Sequence, residues 1–387
     1  MKVTFYSKIL CIIVSIIIFN ESCTYNHLPE GNNKIILNWY IAPANQTQQE
    51  FTTGLIWLLS YLGAKLPQDQ FNDGVKFIAS NKVEINFEKL GFPDFSVKYL
   101  IQLTSLIKET EEYKQTGGID AGRFFALCFN SSIHYYKITG AKNNFNQFKS
   151  KFSAFVYKTF ACDTSAVAYS SRFLNYNVES STILQNFFFA QEGKGYLSEG
   201  NFVKSEIIEA FDYMENGQPR FAVYNENGQL FAPQNPLEHP AGKPAKCMWC
   251  HESGMQPLIF PTPDFIGYET GESFTADQKL FTNRLKEFHK NTNSKLDFSQ
   301  KQNHSQGELI YMQFYEPTLS RLSEEWQLSE NVVKKMLAGI PLHENHEYPF
   351  LNEVYHRKDI EKFAPYKSIA VTDEMRESSV FEPDYLN

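Results

Sequence analysis

The chain has 387 residues, enough for two folded domains behind a targeting segment, and 42% of them are hydrophobic, with 34 Phe and 21 Tyr. So aromatic a composition belongs to a packed, ordered protein and excludes a disordered one. A formal net charge of −8, with no dense run of Lys and Arg, excludes nucleic acid as an expected partner.

In chain order, Lys2 and Lys8 give a positive start, and Ile9 to Phe19 is apolar except for Ser15. This is the pattern of a secretory signal. Eleven residues at about 1.5 Å each cover roughly half of a bilayer core of about 30 Å, so a permanent span is not expected. The run leads into Asn20-Glu21-Ser22-Cys23, and Ser22 before Cys23 resembles the lipobox of bacterial lipoproteins. The resemblance implies a signal over residues 1–22, a lipid on Cys23, membrane attachment through that lipid, and residence on the periplasmic or cell-surface side. The alternative is an ordinary thiol beside a cleavage site.

Phe51, Leu55, Leu58, Leu59 and Leu62 recur at helical spacing between Gln46 and Leu62. Further helical patterns follow Pro93 (Val97, Leu100, Ile101, Ile107), run from Ile119 through His134, and run from Phe145 to about Phe160. Residues 23–162 therefore read as a helical bundle. Over residues 163–235 the pattern turns β-rich, with hairpin signals at Glu215-Asn216-Gly217 and Asn225-Glu226-Asn227-Gly228. Arg220 to Tyr224 fits the middle strand of a small antiparallel meander. Pro233, Pro236, Pro240 and Pro244 then punctuate the chain, and a boundary near 235 opens a mostly α domain over 236–387. There, Thr275 with Gln278 reads as a capping box, Ser329 as a helix start with Gly339 as its stop, and the acidic tail from Asp373 as peripheral. The expected class is α+β, mainly helical.

Of the six cysteines, Cys128 and Cys162 are open to pairing in an oxidising compartment, and Cys128 equally suits a free thiol in an apolar helix. Cys247-Met248-Trp249-Cys250-His251 forms C-x-x-C-H. Two thiols at that spacing reach the two vinyl groups of one porphyrin, and the adjacent imidazole reaches the iron. Random placement yields the pattern in roughly two of every thousand shuffled chains. A zinc site would need more ligands than this pair supplies, and a redox dithiol would sit in a βαβ context. On these five residues the chain resembles the c-type cytochromes, and the resemblance extends at most from about Leu237 to the C-terminus. It implies haem c attached at Cys247 and Cys250, His251 as proximal iron ligand, and residues 236–387 as the haem c-binding domain.

The second axial ligand separates a carrier from a catalyst. His346 and His343, in Leu342-His343-Glu344-Asn345-His346, are distal candidates, followed by Met336; Met312 is a weaker one, and Met255 is too close to His251. Trp249, Met248, Phe260 and Phe265 are candidates to pack on the porphyrin. Asp120, Arg123, Asn130 and His134 share a helix face: Arg123 suits a haem propionate, while the plainer reading is a local Asp120–Arg123 pair with His134 exposed. Electron transfer to an unspecified redox partner protein is the expected function. A haem enzyme or small-ligand sensor with five-coordinate iron is the alternative.

Overall fold

Alternation of apolar residues builds the first sheet. In the computed structural model, which describes residues 33–40, 46–152, 156–165, 170–178, 182–233, 242–252, 254, 261–297 and 304–387, strand β1 (Lys34–Asn38) buries Ile35 and Leu37. The signal segment and Cys23 lie outside the described residues, as do Met255 and Phe260. Helix α1 (Gln48–Tyr61) starts at a Thr47–Glu50 capping box. Strands β2 (Val75–Ala79) and β3 (Lys82–Asn86) form a hairpin, and β3 pairs antiparallel with β1, Ile36 opposite Glu84. Helix α2 (Asp94–Lys108) and helix α3 (Glu111–Thr116) lead to β4 (Ile119–Asp120), which pairs parallel to β1 and completes the order β2-β3-β1-β4.

The pattern read as one helix from Ile119 to His134 is broken. Helix α4 (Ala121–Phe125) runs into a π-helical turn, Ala126–Asn130, and Ser131 then caps α5 (Ser132–Thr139) by accepting from the His134 N–H at 3.3 Å. Helix α6 (Phe145–Lys151) stops well before Phe160, which lies in a strand instead.

Strands β5 (Lys158–Cys162), β6 (Arg172–Asn177), β7 (Phe187–Lys194), β8 (Val203–Tyr213) and β9 (Pro219–Tyr224) form a five-stranded antiparallel meander in sequential order. Arg220 to Tyr224 is thus at the sheet's end, where a middle strand was expected. Strand alternation gives the meander two apolar faces. Phe187, Phe189 and Tyr224 pack with Phe145, Phe148 and Phe152 of the α6 segment, while Phe188, Phe211 and Phe221 face the main core.

Helix α7 (Pro244–His251) carries the Cys pair, and α8 (Gly271–Lys290) lies on the main-core face of the meander, Phe274 stacked on Phe160 at 4.6 Å and Phe281 edge-on to Phe188 at 5.8 Å. Helix α8 begins at a Thr270 cap, so Thr275 lies inside the helix and its hydroxyl donates to the Gly271 carbonyl. Helix α9 (His304–Tyr315) crosses α1 where Gly54 and Gly307 meet; a Cβ at Gly54 would fall 2.6 Å from the Gln306 carbonyl oxygen. Helices α10 (Leu319–Trp326) and α11 (Glu330–Met336) follow, with Ser329 at the N-cap as expected. Strands β10 (His343–Glu344) and β11 (Glu353–Val354) pair antiparallel, and α12 (Arg357–Ile360) precedes an irregular tail.

Residues Asn33–Asn387 form one compact unit. The class is α+β but not mainly helical: among the described residues a four-stranded sheet stands within the expected N-terminal helical bundle, a two-stranded one within the expected mostly α C-terminal region, and the expected small meander is a five-stranded sheet that begins at Lys158. The strands of the first sheet are only two to five residues long and lie between stronger helical patterns, which is why the 3.6-residue period dominated the reading. The C-terminal tail is not peripheral either: Ser378, Ser379 and Leu386 are each about 4% exposed. Among the described residues no helix is long and apolar enough to cross a membrane.

Candidate functional site

Helix α7 starts at Pro244, whose fixed φ suits the first helical turn. The tail holds that end: Lys243 N–H donates to the Arg376 carbonyl at 2.8 Å, Lys243 Nζ donates to the Glu374 carbonyl at 2.7 Å, and Lys246 pairs with Glu377 at 2.9 Å. At about 100° per residue, Cys250, Cys247 and His251 fall within an arc of about 100° on one helix face. Glu252, in the left-handed region at φ 50°, ends the helix directly after His251.

The three motif side chains sit in graded environments. Burial pushes the Cys247 thiol well above its ordinary pKa, with Glu209 and Cys250 adding to the effect. Cys250 is more open; burial raises it too, opposed by the charges of Lys246 and Arg376. The His251 ring lies tilted against Phe211 at 5.5 Å and Phe221 at 5.8 Å, on the inner face of the meander. Burial first, and the Arg172 charge second, lower its pKa to about 4, so the imidazole is neutral at neutral pH. Its Nδ1 is buried and makes no hydrogen bond among the described residues.

These donors suit covalent haem: two thiols one turn apart, and a neutral imidazole, the form in which histidine ligates metal. Met248 is buried, whereas Trp249 points the other way, 43% exposed. The Arg376 guanidinium covers the Trp249 ring at 4.5 Å.

A polar cluster that the sequence reading missed lies beside Cys250. His304 Nε2 is 3.9 Å from the Glu252 carboxylate, and Glu308, one turn along α9, faces Arg376 Nη2 at 3.6 Å. Tyr311 and Tyr348 hydroxyls donate to Glu308 at 3.3 and 3.4 Å. Burial raises the Glu308 carboxyl to about 7 despite Arg376. The i, i+4 spacing of His304 and Glu308 was the available signal.

The distal candidates are spread over other environments. Met336 packs at the rim of a separate core with Leu322, Trp326 and Val333. His343 stacks on His356 at 3.8 Å and faces Glu316. His346 is exposed, and its neighbour Glu347 pairs with Arg376 at 2.5 Å. Met312 is buried on α9, and Phe265 is partly exposed.

Arg123 is committed to structure: it pairs with Glu112 at 3.0 Å and Glu361 at 2.6 Å, while Asp120 caps α4 and pairs with Arg321. His134 is buried, not exposed; its Nδ1 lies 2.7 Å from the Leu127 carbonyl and its Nε2 accepts from Tyr385 N–H at 2.9 Å. Cys128 and Cys162 are separate, buried free thiols. No family model, no curated protein and no solved structure matches the chain.

Proposed function

We propose that this chain is an exported c-type haem protein, tethered on the periplasmic or cell-surface side by a lipid on Cys23, that transfers electrons to or from a redox partner protein. The observation that carries the reading is the C-x-x-C-H sequence on one helix face, ending in a buried imidazole that is neutral at neutral pH. Cys247 and Cys250 would hold the haem, and His251 would ligate its iron. The group supplies one-electron chemistry. The chain's own contribution is to fix the helix through Lys243, Lys246 and the tail, to keep His251 unprotonated by burial, and to place Phe211 and Phe221 against its ring.

The alternative, an enzyme or small-ligand sensor with an open iron position, draws on one observation: His343 and Met336 are engaged elsewhere. Reduced protein made in a host with c-type maturation distinguishes the two. Electron transfer predicts a low-spin spectrum unchanged by carbon monoxide; a high-spin ferric spectrum with rapid carbon monoxide binding would replace it by the alternative. Mass spectrometry of the peptide holding both cysteines tests the shared premise. A haem adduct is expected, absent from C247S/C250S, and a colourless product with both thiols alkylated overturns it.

A further inference from the structure

Away from α7, the end of α9 and the β10–β11 hairpin bring three metal-ligating side chains together. One ligand atom from each of Glu316, His343 and His356 lies within 4.8 Å of the other two. His343 Nε2 stands 3.3 Å from Glu316 Oε2. That separation is the edge of a tetrahedron whose metal–ligand bonds are about 2.0–2.1 Å. Both ring nitrogens of His343 are shielded from solvent; Nδ1 makes no hydrogen bond among the described residues, and Nε2 faces the Glu316 carboxylate without an aligned hydrogen bond. The His356 side chain is solvent-accessible and its ring stacks on His343 at 3.8 Å with the planes 19° apart.

The scaffold around these side chains is tied down. Asn345, itself buried, donates from Nδ2 to Glu316 Oε2 at 2.8 Å, the outer hydrogen bond that orients a ligating carboxylate. His343 stands opposite Val354 in the hairpin register. On either side of His356, Tyr355 N–H donates to the Pro317 carbonyl at 2.9 Å and Arg357 Nε donates to the Phe314 carbonyl at 2.8 Å.

The geometry points to a divalent transition-metal site, of the kind zinc occupies, formed by Glu316, His343 and His356 with a solvent molecule completing the shell. Two imidazoles and one carboxylate are a borderline donor set that suits zinc, copper or nickel and disfavours calcium and magnesium. Glu316 and Asn345 hold their positions, while the stacked His356 ring turns out of register with His343 so that both rings point at one ion. The ion clips the hairpin to the end of α9. This site shares no residue with the C-x-x-C-H motif and stands whether or not haem is attached.

The test uses the full matured chain, stripped with EDTA, and zinc chloride in titration calorimetry. One zinc per chain is expected, with a rise in melting temperature on addition. H356A, at an accessible side chain that makes no hydrogen bond among the described residues, and E316Q should each weaken binding by at least about a hundredfold, and N345A by about tenfold. C247S/C250S should bind zinc as the parent does. Less than a tenth of an equivalent bound by the parent, or undiminished binding in both H356A and E316Q, overturns the site. So does loss of zinc in C247S/C250S with retention in H356A, which would put the ion on the thiols.

Discussion

Glu325 receives Arg357 as a bidentate pair, Nη1 to Oε1 at 2.7 Å and Nη2 to Oε2 at 2.8 Å, with both side chains at most 3% exposed. Arg321 joins the same carboxylate and reaches across to Asp120, so the cluster locks the region of β4 to the region of α10 and α12. Burial would raise the Glu325 pKa, but Arg357 and Arg321 outweigh it and hold the carboxyl down at about 2. A carboxyl whose folded pKa is depressed stabilises above its unfolded value near 4.3, and that contribution is lost as pH falls toward 2. E325Q leaves two buried guanidiniums short of charge. It should cost about 3–5 kcal/mol at pH 7 by urea denaturation. The gap to the parent should shrink between pH 4 and 2; a loss under about 1 kcal/mol at pH 7 would show that the cluster is not a structural lock.

Arg376 is the corresponding hub beside the C-x-x-C-H motif. It covers Trp249, pairs with Glu347 and faces Glu308, which Tyr311 and Tyr348 also contact. Because burial lifts Glu308 to about 7, its protonated form is favoured on folding below the unfolded pKa, and this stabilisation disappears as pH rises through 7. R376Q removes the cation that makes the ionised form tolerable. Its cost should be about 1–3 kcal/mol at pH 8 and clearly less at pH 5.5, as seen in denaturation midpoints. In an E308Q background the excess at pH 8 should vanish; an equal cost at both pH values would exclude Glu308 as the group responsible.

His289, at the end of α8, is buried with Nε2 3.3 Å from the Gly217 carbonyl, and burial lowers its pKa to about 4. The neutral ring contributes fully above the unfolded value near 6.5, and stability drains away as pH falls from there to about 4. At about 1.4 kcal/mol per unit the loss reaches at most about 3.5 kcal/mol. H289Q should therefore show a shallower fall of stability between pH 6.5 and 4. Parallel curves for the two proteins would mean that His289 keeps its ordinary proton affinity in the fold.

The C-x-x-C-H pattern was legible because its five residues are adjacent, and adjacency needs no fold. Helix α1, the Ser329 cap and both Asn-Gly turns were legible for the same reason: each is a local signal. What was lost is non-local. Strand β1 acquires its identity from pairing with β3, some fifty residues on, and Ile119 from pairing with Leu37. Helical spacing around Ile119 to His134 conceals a strand, a π turn and a new cap at Ser131. Glu316, His343 and His356 are separated in sequence; the β10–β11 pairing brings the two histidines together, and the Tyr355–Pro317 and Asn345–Glu316 bonds bring Glu316 to them. Arg123 looked like a candidate for a ligand because nothing in the sequence announces Glu112 and Glu361 as its partners.

The tail offers a test of how far stability depends on such distant contacts. Tyr385 N–H donates to His134 Nε2 at 2.9 Å, Ser131 Oγ donates to the Pro383 carbonyl at 3.0 Å, and Lys137 pairs with Asp384 at 3.0 Å. Leu386, 4% exposed, enters the main core. Removing residues 382–387 exposes that apolar contact and leaves His134 Nε2 without its donor and the Ser131 hydroxyl without its acceptor. Burial of a Leu side chain contributes about 1.5–3 kcal/mol, and an orphaned buried polar group costs about 1–3 kcal/mol. The truncated chain should thus lose about 3–5 kcal/mol by urea denaturation, and L386A alone about 2–3 kcal/mol. A truncated protein with the parent's midpoint would show that these residues do not hold α5 in place, the helix whose His134, Lys137 and Ser132 N–H bond to Tyr385, Asp384 and Glu382.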